Sequence, residues 1–315
     1  MDAALPAGFT LGHWTDADRG TGCTVVLPPP GSVAAGEVRG GGPGTRESDI
    51  LSPAANVRGV QAILLAGGSA FGLAAADGVQ SWLLERGAGY TTRGGLVPLV
   101  SAAVVYDLVL GDGEAHPGPA DGYAACEAAG RGLARGTVGV GTGCSVGKLL
   151  GFDGWTKGGF GAATLQVDGA TVTAIAAVNA AGEVVGEDGE VLAGVWRDGA
   201  YARTTDLLVE GVRPPWAQAR ENTTLVCVLT DASLDKGEAW LTARATTAGV
   251  SRAVAPSATP ADGDMVFCLA TGERPVERFP VMAVAAEVAA RAVRDAVRSA
   301  TGLHGCPAAT ERGAG

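Results

Sequence analysis

Histidine is scarce. The 315-residue chain has three, His13, His116 and His304, far apart and in no HxxxH spacing. Neither a zinc site nor a Ser-His-Asp triad has local support from them. The six cysteines (Cys23, Cys126, Cys144, Cys227, Cys268 and Cys306) are widely spaced and form no CxxC. They read as free thiols, several of them buried, so no disulfide framework or metal is expected. Basic charge is short as well. With 23 Lys and Arg against 33 Asp and Glu, the net charge is −10, which disfavours the basic face that a nucleic-acid partner needs. No run of about 20 apolar residues is present to span a bilayer. No basic stretch leads into an apolar signal core. A soluble, cytoplasmic protein without membrane contact is expected. There is no internal repeat and no GxGxxG, and no Walker lysine follows the glycine-rich turn at Gly67-Gly68.

What is present suits a globular enzyme. The chain is 47% hydrophobic and 18% charged, so it can bury a sizeable core. Its 50 glycines are spread along the whole length and suit tight turns and close packing. Strands are expected at Thr24 to Leu27, Val60 to Leu65, Leu99 to Leu108 (carrying Tyr106), Thr223 to Thr230 and Met265 to Ala270. A hairpin is expected from 164–167 and 171–178 around Asp168-Gly169. Helices are expected at about Ser69 to Glu85, Gly122 to Arg135, Asp235 to Ala248 and from Pro280 onward. On the last, Glu287, Arg291, Arg294 and Arg298 share one face, with Ala285, Ala289, Ala292 and Ala296 opposite. Residues 136–161 read as loop, and 196–221 as an exposed connection containing Pro214 and Pro215. Interleaved strands and helices with frequent hairpins suggest stacked sheets covered by helices.

Asn222-Thr223-Thr224 stands directly before the apolar run Leu225 to Leu229. A Thr in such a place could supply a nucleophile, its Oγ, and a base, its own freed α-amine. The same letters suit an ordinary strand start, or an N-glycosylation acceptor if the chain were secreted. Asp262-Gly263-Asp264 lies before the next strand, where the glycine permits a sharp turn that brings two carboxylates together. Lys148 and Lys157 both sit in glycine-dense turns, and spacing does not choose between them. Asn179 ends an apolar strand, where its amide could serve a cleft. Gly67-Gly68 reads first as a packing turn, and second as one aiming N–H groups at an anion.

Taken in order, these stretches resemble the self-processing peptidase family that includes L-aminopeptidase/D-esterase, the β-peptidyl aminopeptidases and the nylon-oligomer hydrolase. The likeness runs from about Thr21 to Arg298. It rests on Thr21-Gly22-Cys23-Thr24, Leu65-Ala66-Gly67-Gly68, Val97 to Leu108, Ser145 to Lys148, Asn222-Thr223-Thr224 and Asp262-Gly263-Asp264. Aminopeptidase members typically carry Ser as nucleophile, so Thr223 with its two downstream aspartates looks closer to the nylon-oligomer hydrolase branch. The resemblance implies an α/β fold, a four-layer αββα sandwich of the N-terminal-nucleophile type, in one domain spanning 1–315. It implies self-cleavage between Asn222 and Thr223 into 1–222 and 223–315. Thr223 would be the nucleophile, supported by Lys148 (favoured over Lys157), Asn179, Asp262 and Asp264, with Tyr106 on the substrate side. Short peptides or linear amide oligomers are the implied substrates, no cofactor is implied, and a homo-oligomer, possibly a tetramer, is. An acyltransferase like the ornithine acetyltransferases, or an uncleaved binding protein of the same fold, are the alternatives.

Overall fold

The computed structural model describes residues 3–214 and 221–312. In chain order the main strands are β1 (Thr10–Asp16), β2 (Thr21–Leu27), β3 (Val33–Val38), β4 (Thr45–Arg46), β5 (Ala62–Ala66), β6 (Val100–Val104), β7 (Gly159–Val167), β8 (Ala170–Asn179), β9 (Thr223–Ala232) and β10 (Met265–Arg274). The main helices are α1 (Ala75–Glu85), α2 (Pro119–Glu127), α3 (Lys236–Ala253) and α4 (Arg278–Arg298). The strands form two five-stranded sheets, ordered β1-β2-β5-β6-β4 and β7-β8-β9-β10-β3.

Side-chain parity in β9 shows how the layers arise. Successive residues of a strand point to opposite faces. Leu225, Cys227 and Leu229 enter the core between the sheets, beside Val26, Ile63, Leu65, Ile175 and Phe267. Val226 and Val228 point the other way, onto Ala243 and Val250 of α3 and Ala289 and Val293 of α4. On the outer face of the first sheet, Val25, Leu64 and Ala102 pack against Val79 and Leu83 of α1 and Ala125 of α2. The order is therefore helices, sheet, sheet, helices: the expected four-layer αββα sandwich. Both sheets bury two faces, which is why their strands read as continuous apolar runs rather than alternating ones. Among the described residues, no helix is long and apolar enough to cross a membrane.

Several expected elements move. The strand expected at Leu99 to Leu108 ends at Val104, because Val105 donates to Ala66 O and accepts from the Ser69 N–H, and a turn closes from Leu110 N to Asp107 O. Tyr106 therefore stands just past a strand end. The helix expected from Ser69 begins as a 3-10 turn over Ser69–Ala74. The helix expected at Gly122 to Arg135 starts at Pro119, where the Asp121 carboxylate accepts from the Gly118 N–H, and stops at Glu127. Arg294 differs from Arg291 and Arg298, which share its face and are exposed. It is buried and donates from Nε to Val185 O at 2.9 Å. Within 196–221, residues Val195–Arg197 and Ala200–Ala202 pair as a ribbon and Thr204–Val209 is a helix. Residues 215–220, Pro215 among them, lie outside the described residues.

Candidate active site

Strand pairing brings the expected residues together from distant parts of the chain. Thr223, the first residue of β9, stands opposite Asn179, the last of β8. Asn222 bridges to Asp262 ahead of β10, in the parallel sense. All four are buried. The Thr223 hydroxyl donates to the carbonyl oxygen of Asn222 at 2.6 Å. The Gly263 N–H donates to the same oxygen at 2.7 Å. The carbonyl of the 222–223 peptide is thus polarised by two donors in a water-poor setting, where each acts more strongly than in solvent.

Lys148 joins this group. Its ammonium donates to Asn179 Oδ1 at 2.8 Å, to Asn179 O at 3.0 Å and to Glu221 O at 3.2 Å, beside the junction. Burial lowers its pKa to about 8, against the pull of nearby Cys144, Asp262 and Glu221. Asn179 Oδ1 also accepts from the Ser145 N–H at 3.0 Å. Its Nδ2 donates to Tyr106 O at 2.8 Å and, longer, to Glu221 O at 3.4 Å. It is the Gly263 N–H, and not the Asn179 amide, that meets the Asn222 carbonyl. Tyr106 is half-buried, and its phenol is raised by burial and by Glu221.

The two aspartates hold backbone. Asp264 accepts from the Thr224 N–H at 2.6 Å and the Ala258 N–H at 2.9 Å. Asp262 Oδ2 accepts from Thr259, through its N–H at 2.8 Å and its hydroxyl at 2.6 Å. Burial first, and then the charge of Asp262, raise Asp264 to about 7, although its two N–H donors oppose the shift.

Sequence reasoning missed the support beneath this turn. Arg39-Gly40-Gly41-Gly42 runs along its back. Arg39 N and Gly40 N donate to Asp264 O at 2.8 and 3.2 Å, and Gly42 N to Asp262 O at 2.9 Å. A Cβ on Gly40 would lie 2.0 Å from Asp262 O, so only glycine allows the approach. Three glycines in a row before Pro43 were the available signal.

Asp107 was missed too. Gly68, at φ +79°, donates its N–H to Asp107 Oδ1 at 2.6 Å, and the Thr21 hydroxyl donates to Oδ2 at 2.8 Å. The glycine turn does face an anion, but an internal one. Burial raises Asp107 to about 6 against those donors. An acid inside an apolar run, next to Tyr106, was the hint. Lys157 is placed differently from Lys148. Its ammonium donates to Gly141 O, Cys144 O and Gly158 O at 2.9, 2.7 and 3.2 Å, and binds loops together. Among the described residues, no group of three or more His, Cys, Asp and Glu could hold a metal ion.

Known proteins resemble the chain in sequence and in fold. An uncharacterised aminopeptidase of Mycobacterium leprae is 40% identical, over 96% of this chain and 91% of its own. A 6-aminohexanoate-oligomer endohydrolase of Agromyces sp. is 30% identical, over 84% of this chain and 74% of its own. The L-aminopeptidase D-Ala-esterase/amidase of Ochrobactrum anthropi, an Ntn-hydrolase-fold variant, superposes with a TM-score of 0.71 over 93% of this chain and 84% of its own, at 19% identity. That likeness carries the fold. The model of peptidase family S58 matches residues 7–310. The chain is a hydrolase of amide bonds with the N-terminal-nucleophile fold, and it belongs to peptidase family S58.

Proposed function

We propose that the protein cuts itself between Asn222 and Thr223, retains both pieces, and then hydrolyses amide bonds of short peptides or linear amide oligomers through an acyl-enzyme on Thr223. The observation that carries this is the junction carbonyl, held between the Thr223 hydroxyl and the Gly263 N–H. In self-cleavage, Oγ turns from that oxygen to the carbonyl carbon and attacks it, while Gly263 steadies the oxyanion. The Asn222–Thr223 C–N bond breaks as the acyl group shifts to Oγ, and the Oγ proton passes to the departing Thr223 nitrogen. Water then hydrolyses the ester and leaves a free α-amine on Thr223.

That amine has a reference pKa of about 7.7–8.0, so much of it is neutral near pH 7. It takes the Oγ proton during attack on substrate. Asn179, fixed by Lys148 and the Ser145 N–H, serves as oxyanion donor in turnover, a role worth about 3–4 kcal/mol elsewhere. Asp262 and Asp264 hold the strand ends that aim the nucleophile, and Lys148 balances their charge. Tyr106 lines the substrate side. The resemblance supports a homo-oligomer, and the sequence pattern, without an apolar signal core, supports a cytoplasmic setting.

The test is a denaturing gel with N-terminal sequencing of the small fragment. Two bands, the smaller starting at Thr223, are expected. A single full-length band after long incubation sinks the proposal. Release of free amine from dipeptides and 6-aminohexanoate oligomers, against acyl transfer to ornithine, separates hydrolysis from the transferase alternative.

A further inference from the structure

Thr224 faces away from Thr223, toward the helices. Beneath it, between β9, β10 and α3, lies a cavity of about 190 Å³. Of its lining, Thr224, Asp264, Val250 and Val266 are buried and form its floor and walls, and Arg39 and Ser251 are exposed and mark its rim. Thr224 is buried, and among the described residues its Oγ1 has no hydrogen-bond partner. Each Asp264 oxygen takes one backbone N–H, which leaves a lone pair on each for another donor. Arg39 is exposed, and its guanidinium pairs with Glu37, with Nε 3.5 Å from Oε1. Its planar fork carries further donors that can meet an anion.

The cavity is thus acidic and hydroxyl-bearing at its floor, aliphatic along its walls and cationic at its rim. A ligand that satisfies all three needs its two charges separated by an alkyl chain. Bulk water occupies about 30 Å³ per molecule, so the space suits a chain of four to six carbons.

We propose that this cavity binds a short ω-amino acid, with its ammonium on Asp264 and the Thr224 hydroxyl, its methylenes against Val250 and Val266, and its carboxylate at Arg39. The site lies across the second sheet from the Thr223 hydroxyl, so it is separate from the proposed substrate cleft. Binding stands apart from the proposed reaction. A link to turnover, in which released monomer steadies Asp264 and so the start of β9, rests on that reaction.

The test is calorimetric titration of the purified protein at pH 8 with 4-aminobutanoate and 6-aminohexanoate, against butylamine and hexanoate. One saturable site for the zwitterions is expected, with the one-charge analogues at least tenfold weaker. Val250→Phe, which fills the cavity, and Arg39→Ala should each weaken binding at least tenfold. Thr223→Ala should retain it, and whether that variant stays uncut reports separately on self-cleavage. Absence of saturable binding overturns the proposal. So does binding that Thr223→Ala removes while Val250→Phe keeps, because that places the ligand in the substrate cleft. If Val250→Phe does not fold, Arg39→Ala, at the exposed rim, decides.

Discussion

At the residue scale, two buried lysines nine positions apart have opposite expected roles. Lys148 contacts Asn179 and the carbonyl of Glu221 beside the proposed cleavage site. Lys157 contacts three loop carbonyls. Lys148→Met should slow self-cleavage and turnover by about a hundredfold or more, the scale of a lost charge-stabilising contact, and should also lower melting, since it strips a donor from Asn179 and Glu221. Lys157→Met should lower melting without that loss of chemistry. Leaving buried carbonyls unpaired costs about 1–3 kcal/mol each, so its melting temperature should fall sharply while any folded fraction still cuts. Gel cleavage and thermal melts on the same samples separate the two. Thr223→Ala should stay intact and lose at least about a thousandfold in activity, as enzymes stripped of their nucleophile do; Thr223→Ser should keep cutting. Cutting at the junction in Thr223→Ala would mean an outside protease.

At the element scale, the glycine run under the acid turn does the positioning. A methyl on Gly40 meets the Asp262 carbonyl at 2.0 Å, so Gly40→Ala must push the turn away from Asn222. We expect a loss of about 1–3 kcal/mol, typical of overpacking, and slower self-cleavage, read as the full-length band remaining over time. Unchanged cleavage in a folded Gly40→Ala protein would remove the turn from the mechanism. The same segment marks where the fold was legible in sequence. β9 and β10 were readable because buried strands are continuous apolar runs, and α3 because Asp235 and Glu238 cap each other's N–H groups at its start. For the candidate site, Thr223, Asn179, Asp262 and Lys148 could be singled out in sequence, and the fold brings them together at the start of β9. β1 was not, since Gly12 and the polar His13, Thr15 and Asp16 break its apolar pattern. Nor was the end of β6, because the bonds that stop it run to Ala66 and Ser69, distant in sequence. The glycine run at 40–42 marked a tight approach, but not what it approaches, because the partners of Arg39 to Gly42 lie more than 200 residues away.

At the scale of the whole molecule, the buried acids set a pH dependence and the sheet order decides what a cut can do. Asp264 and Asp107 are raised to about 7 and about 6, above the usual carboxylate value of about 3.9. Between these limits the folded chain holds protons that the unfolded chain has released. Their contribution to stability is therefore full below about pH 4 and is lost as pH rises through 6 and 7. Each pKa unit corresponds to about 1.4 kcal/mol, so the fall should be on the order of several kcal/mol. An Asp107→Asn, Asp264→Asn double variant should melt with a flatter profile from pH 5 to 8; an equal slope would show that other groups titrate there. The second consequence follows from topology. β9 and β10 lie side by side in the middle of the second sheet, flanked by β8 and β3. The proposed piece 223–315 supplies both central strands and both covering helices, while 1–222 supplies the strands on either side. Separating the pieces would open two strand ladders and expose the face of β9 that meets the first sheet, Leu225, Cys227 and Leu229, at about 25 cal/mol for each Å² of apolar surface uncovered. Cut protein should therefore elute from a native sizing column as one species holding both fragments in equal amounts, and part only in denaturant. A small fragment eluting alone under native conditions would show that the cut falls elsewhere, or that the sheet does not hold across it.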